Sequence, residues 1–103
     1  MRLLAMLILA LFAPLVTPAD RCAEVQLEGL AEVGCRLKEE SHGWKLWFKL
    51  RYNGGREYEQ IEKPAGREFW PSDRAAFERC SEWRACVTQK VLRHREEQRR
   101  NRQ

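Results

Sequence analysis

Residues 44–63 read Trp-Lys-Leu-Trp-Phe-Lys-Leu-Arg-Tyr-Asn-Gly-Gly-Arg-Glu-Tyr-Glu-Gln-Ile-Glu-Lys, and this stretch decides the fold. Trp44, Leu46, Phe48, Leu50 and Tyr52 alternate with Lys45, Trp47, Lys49 and Arg51. That is the two-residue period of a strand with one apolar face and one mixed face. Asn53-Gly54-Gly55 tolerates the positive φ angles of a tight hairpin, so Arg56 to Lys63 is expected to return antiparallel. Two registers compete. A two-residue loop at Asn53-Gly54 sets Arg51 against Arg56 and drives Glu57 and Glu59 onto the apolar face. A three-residue loop sets Arg51 opposite Glu57, Lys49 opposite Glu59, and Tyr58 beside Leu50. Opposite charges across a strand pair contribute roughly 0.2–1 kcal/mol and like charges cost stability, so the three-residue loop is expected.

Upstream, Val33, Cys35 and Leu37 alternate against Arg36 and Lys38 as a further strand, and Ser41-His42-Gly43 reads as a turn. Cys22 to Leu30 is open between two readings. Ala23, Val25 and Leu27 alternate with Glu24, Gln26 and Glu28 as in a half-buried strand, yet Glu, Leu and Ala also favour a short helix. Downstream, Pro64-Ala65-Gly66 ends the sheet. Phe69-Trp70-Pro71 is an apolar knot before Ser72, a good N-cap, and Asp73, which suits the positive end of a helix dipole. No Gly or Pro follows as far as His94. Ala76, Cys80, Trp83, Val87 and Val91 recur at three- and four-residue steps as one apolar stripe, which Phe77 should widen. The expected architecture is α+β: a small antiparallel β-meander of three or four strands packed against one long C-terminal helix.

The chain has 103 residues, room for one domain. Its first 19 residues carry a basic start, an apolar run from Leu3 to Val16, and small residues before a cleavage point after Ala19. This is the pattern of a secretory signal peptide, which implies a secreted or periplasmic protein. Asp20-Arg21 precede Cys22 where lipidation would need small residues. Four cysteines, Cys22, Cys35, Cys80 and Cys86, follow the leader, and in a short exported chain an even number reads as two disulfides stapling a marginal core. They show no paired metal-ligand spacing, so no metal site is expected. Cys80 and Cys86 share the expected helix, where six residues rise about 9 Å. A disulfide needs Cα atoms within about 7 Å, so both helix cysteines should bond to the N-terminal part. Whether Cys22 pairs with Cys80 or with Cys86 stays open.

The formal charge is +4, with 19 Lys and Arg against 15 Asp and Glu. Residues 20–92 carry equal numbers of acids and bases. After the leader, the excess lies in residues 93–103, where five Arg face Glu96 and Glu97. This divides the chain into a leader at 1–19, a neutral domain at 20–92 and a basic tail at 93–103.

No catalytic constellation is expected. His42 and His94 are the side chains that could act as a base near neutral pH. His42 lies in a turn and His94 among arginines. No nucleophile elbow, zinc-protease, phosphate-loop or cofactor motif is present. Two surfaces remain. The mixed strand face Trp47, Lys45, Lys49 and Arg51 places an aromatic anchor among cations, a pattern suited to binding another exported or envelope protein. If the helix runs on past Val91, Arg95, Arg99 and Arg102 form a ridge suited to a nucleic acid or another anionic partner. The main expectation is a non-enzymatic protein-binding module such as an inhibitor, envelope accessory or adaptor, and the second is an anionic-ligand binder.

Overall fold

In the computed structural model, which describes residues 22–102, β2 (Gly43–Tyr52) is the middle strand of an antiparallel sheet. It is flanked by β1 (Leu30–Glu40) and β3 (Glu57–Glu62). Three strands in the order β1-β2-β3 make up the sheet among the described residues. The expected leader at 1–19 lies outside those residues.

The second hairpin has the register that charge pairing requires. Arg51 stands opposite Glu57, Lys49 opposite Glu59 and Leu50 opposite Tyr58. Tyr52 N–H donates to Arg56 O at 2.8 Å and closes a three-residue loop with Gly54 and Gly55 at φ 91° and 89°. In the first hairpin Glu40 pairs with Gly43 across Ser41-His42, so Arg36 stands opposite Trp47 and Gly34 opposite Lys49. Gly43 has φ 143°, and a Cβ there would lie 2.7 Å from both Phe69 Cβ and Trp70 O. Its bare Cα lets the Phe69-Trp70 segment come against the sheet. Trp44 and Trp70 then exchange two backbone hydrogen bonds of 2.9 Å. Trp70 Nε1 donates to Glu62 O at 2.9 Å, which satisfies an indole N–H near the core.

One long helix, α1 (Asp73–Asn101), covers β1 and β2. Ser72 caps it, its Oγ accepting from Ala75 N at 3.1 Å. The buried side chains are Leu46, Phe48 and Tyr52 from the sheet and Ala76, Cys80, Trp83, Cys86 and Val87 from the helix. Val91 packs against this cluster only partly buried. Phe77 departs from the expectation that it widens the stripe: it is 58% exposed. At 3.6 residues per turn Phe77 is turned away from the Cys80–Trp83–Val87 line and shares the azimuth of Arg84, about two turns on.

The disulfides are Cys22–Cys86 and Cys35–Cys80, with Cα separations of 5.9 and 6.2 Å. Both tie the helix to the N-terminal part, and the pairing left open by spacing is resolved as Cys22 with Cys86. Residues 23–27 are neither strand nor helix. With Cys22 and Glu28 they form an irregular segment, 22–28, which side chains hold at Cys22, Gln26 and Glu28. Tyr52 Oη donates to Gln26 O at 2.7 Å, and Lys90 Nζ donates to Cys22 O at 3.3 Å. Gln98 Nε2 donates to Glu28 Oε2 at 3.2 Å, and His94 Nε2 lies 3.3 Å from the same oxygen. The inner layer is therefore the helix with this segment along one flank. Among the described residues, no helix is long and apolar enough to cross a membrane.

Candidate functional site

The outer face of the sheet carries the strand residues singled out by their alternation. Trp47 is half-buried at its centre, between Arg36 of β1 and Ile61 of β3. The Arg36 guanidinium carbon lies 3.9 Å from the Trp47 ring centroid, a stacked cation–π contact worth roughly 0.5–1 kcal/mol at an exposed site. Arg36 Nε also donates to Glu59 Oε1 at 3.3 Å, and Lys49 Nζ lies 3.9 Å from the same oxygen. Glu59 thus holds the guanidinium over the indole. Ile61 extends the row and is 39% exposed.

The other predicted residues are arranged less uniformly. Arg51 stands opposite Glu57 in register, but its guanidinium pairs with Glu32 of β1. Lys45 is displaced toward the end of the sheet, where its Nζ lies 5.8 Å from the Phe69 ring centroid. Trp47, Lys49 and Arg51 therefore share one patch and Lys45 borders it. Gly34 leaves a notch in this patch beside Lys49 and Arg51, because its missing side chain would have met no atom within 4 Å. The residue that sequence reasoning missed is Arg36. Alternation put it on the outer face, but only the two-residue length of the first turn sets it over Trp47.

Arg95 and Arg99 lie on the last turns of α1, which continues unbroken through Asn101, and Arg102 caps its C-terminus; together with Gln98 they line a shallow surface concavity. Arg99 is tied to Glu96, as is Arg100 at 3.7 Å, whereas Arg95 and Arg102 have no carboxylate partner among the described residues. His42 is exposed in the first turn, its ring 6.1 Å from that of Phe69. Among the described residues, no group of three or more His, Cys, Asp or Glu could hold a metal ion.

On the inner side, a cleft of about 250 Å³ opens between β3 and the segment 23–26. The stacked Phe48 and Trp83 rings border it, and Arg79 spans it to Glu62 at 2.9 Å. Small-molecule sites typically start near roughly 300 Å³, and this cleft falls short of that. Burial pushes the Tyr52 phenol above its ordinary pKa. Tyr58 adds to the rise and Arg56 opposes it. Comparison with protein-family models, with curated proteins and with solved structures finds no match.

Proposed function

We propose that this chain is a small exported, non-enzymatic protein-binding module that meets its partner through the outer face of the sheet. The observation that carries this reading is the Arg36–Trp47 stack, held by Glu59 on a sheet face that no other described element covers. Trp and Arg are the residue types that dominate binding energy at protein interfaces. Two disulfides keep the platform rigid, so little conformational entropy is lost on docking. The same disulfides fit an oxidising compartment, secreted or periplasmic, as the leader-like start suggests. The test is affinity capture from native envelope extract under oxidising conditions, with wild type and Trp47→Ala as baits of equal thermal stability. A partner recovered at least tenfold less by Trp47→Ala is the expected result. Equal recovery overturns the reading.

A second reading rests on the unbroken helix through Asn101, which lines up Arg95, Arg99 and Arg102. In this reading the helix end binds a nucleic acid or acidic polymer by counterion release, with affinity falling steeply as salt rises. Removing residues 93–103 should abolish that binding, and unchanged binding after removal rules it out.

A further inference from the structure

The sheet has two edges, and they differ in what lies beside them. β3 is short and acidic, and the carboxylates of Glu59 and Glu62 are already engaged by Arg36, Lys49 and Arg79. β1 runs 11 residues, and no described strand pairs with it on the side away from β2. An unpaired strand edge presents a row of backbone donors and acceptors, which proteins normally blunt or use. Beside this edge runs the flank of α1 opposite the one taken by the segment 22–28.

That flank has an unusual composition for a solvent-facing helix surface. Phe77 and Leu92 are 58% and 57% exposed, and both lie on it. Arg84 follows Phe77 by about two turns and Arg95 follows Arg84 by about three, so all three share one azimuth. Neither Arg84 nor Arg95 has a carboxylate partner among the described residues. Between helix and strand lies a groove of about 330 Å³ with Val33, Val91 and Leu92 in its lining and Arg84 and Arg95 at its ends. Glu32, at the strand side, is turned to Arg51 and does not neutralise them. A bare strand edge, an apolar floor and two unpaired cations thus stand in one groove.

We propose that this groove binds an acidic segment of a partner protein in extended conformation. The segment adds as a fourth strand to β1 and lays its carboxylates against Arg84 and Arg95. The spacing supports this occupant. Side chains at i and i+4 of a strand point the same way about 13 Å apart. The Cα atoms of Arg84 and Arg95 are separated by about 16 Å along the helix, so two long guanidinium side chains meet both acids, with an apolar residue at i+2 over Leu92. Main-chain hydrogen bonds supply affinity in this mode and the alternating side chains supply specificity. A second copy fits poorly: pairing two β1 edges about a two-fold axis sets arginines against arginines, and β3 has no free acid on its helix-facing side to offer. This surface differs from the Trp47 face, and the inference does not depend on that face binding anything.

The test uses the oxidised full chain and a blocked nine-residue peptide with Glu, Val and Glu at its third, fifth and seventh places and Thr or Ser elsewhere. A second peptide carries Lys in place of Glu. Fluorescence anisotropy should show the Glu peptide bound at least tenfold more tightly than the Lys peptide. The exposed double variant Arg84→Glu, Arg95→Glu should reverse that preference. Amide exchange should slow along β1 on binding and stay unchanged along β3. Trp47→Ala, and a chain ending at residue 98, should bind the Glu peptide as wild type does. Failure of the Glu peptide to bind overturns the inference, as does an unreversed preference or protection at β3. Loss of binding in Trp47→Ala or in the shortened chain, or a dimer formed through β1 without peptide, overturns it equally. Trp47 can fail as an anchor while these results hold, and the converse is also true.

Discussion

Phe48 of β2 and Trp83 of α1 lie face to face, their ring centroids 4.1 Å apart and their planes 1° from parallel. The pair joins the two layers at the centre of the core, where Leu46 and Val87 are fully buried beside them. Arg79 closes one side, its guanidinium 5.5 Å from the Phe48 ring, while its Nε bonds Glu62 at 2.9 Å. Sheet, helix and the second hairpin therefore meet around two aromatic rings.

Trp83→Ala should accordingly be among the costliest single changes. Removing a buried aromatic side chain costs about 3–5 kcal/mol, and the neighbouring disulfide limits how far the core can relax into the cavity. Trp83→Phe keeps a ring over Phe48 and should cost less than half as much. Denaturant titration followed by far-ultraviolet circular dichroism measures both. A loss under about 1 kcal/mol for Trp83→Ala would show that the stack is not central to the core.

The two disulfides should contribute differently. Cys35–Cys80 joins β1 to α1 inside the loop that Cys22–Cys86 closes, with sequence separations of 45 and 64. In the chain-entropy model either one alone is worth about 4 kcal/mol, and the second adds less because the first has already shortened its loop. Replacing Cys22 and Cys86 by Ser should therefore keep the sheet and helix folded but release the segment 22–28. Hydrogen exchange should report faster amides there and at Leu30, with β2 still protected. Loss of protection in β2 would mean that the segment is part of the cooperative core.

Much of the fold is legible from a few residues. The charges of Lys49, Arg51, Glu57 and Glu59 fix the second hairpin, because the alternative register opposes like charges and buries acids. Ser72 fixes the helix start through its own hydroxyl. Phe77 looks like a widening of the stripe because it is an apolar residue beside it, and only the packed azimuth of the helix shows which margin faces solvent. Residues 22–28 resist assignment from pattern because the partners of Cys22, Gln26 and Glu28, namely Lys90, Tyr52, His94 and Gln98, come from distant parts of the chain. The candidate surfaces follow the same rule. Trp47 on the outer face is visible in the alternation, whereas the Arg36 stack depends on a turn length. The Arg84–Arg95 groove depends on which flank of the helix the Cys22–Cys86 bond assigns to the N-terminal segment.

Gly43 and Gly34 both sit in the sheet, yet Ala should act oppositely at the two. At Gly43 the new Cβ meets Phe69 Cβ and backbone Trp70 O at 2.7 Å, at a φ of 143° that side chains rarely adopt. Gly43→Ala should cost about 2–4 kcal/mol by combining overpacking with backbone strain. It should also break the Trp44–Trp70 bridge. Gly34 has an ordinary φ and open space above it, so Gly34→Ala should stabilise by a few tenths up to about 1 kcal/mol through the unfolded chain. Thermal melts of the two variants check the contrast, and similar melting temperatures would contradict it.

The Tyr52 phenol sets an alkaline limit on stability. Tyr52 is 4% exposed and its hydroxyl donates to Gln26 O at 2.7 Å, so the fold holds the neutral form. Burial raises its pKa above the ordinary 10.0, Tyr58 adds to the rise, and Arg56 only partly offsets it. The folded state therefore keeps a proton that the unfolded chain releases once pH passes 10.0. Stability is full below that pH and falls as pH climbs toward the folded value, since the native state then binds more protons than the unfolded one. Tyr52→Phe removes the titration together with the hydrogen bond. It should be less stable than wild type by about 1 kcal/mol at neutral pH. Above pH 10.0 the gap should narrow, because wild type alone loses this contribution. Urea titrations of both proteins across that range provide the measurement, and a gap that stays constant or widens would show that the Tyr52 proton is not linked to folding.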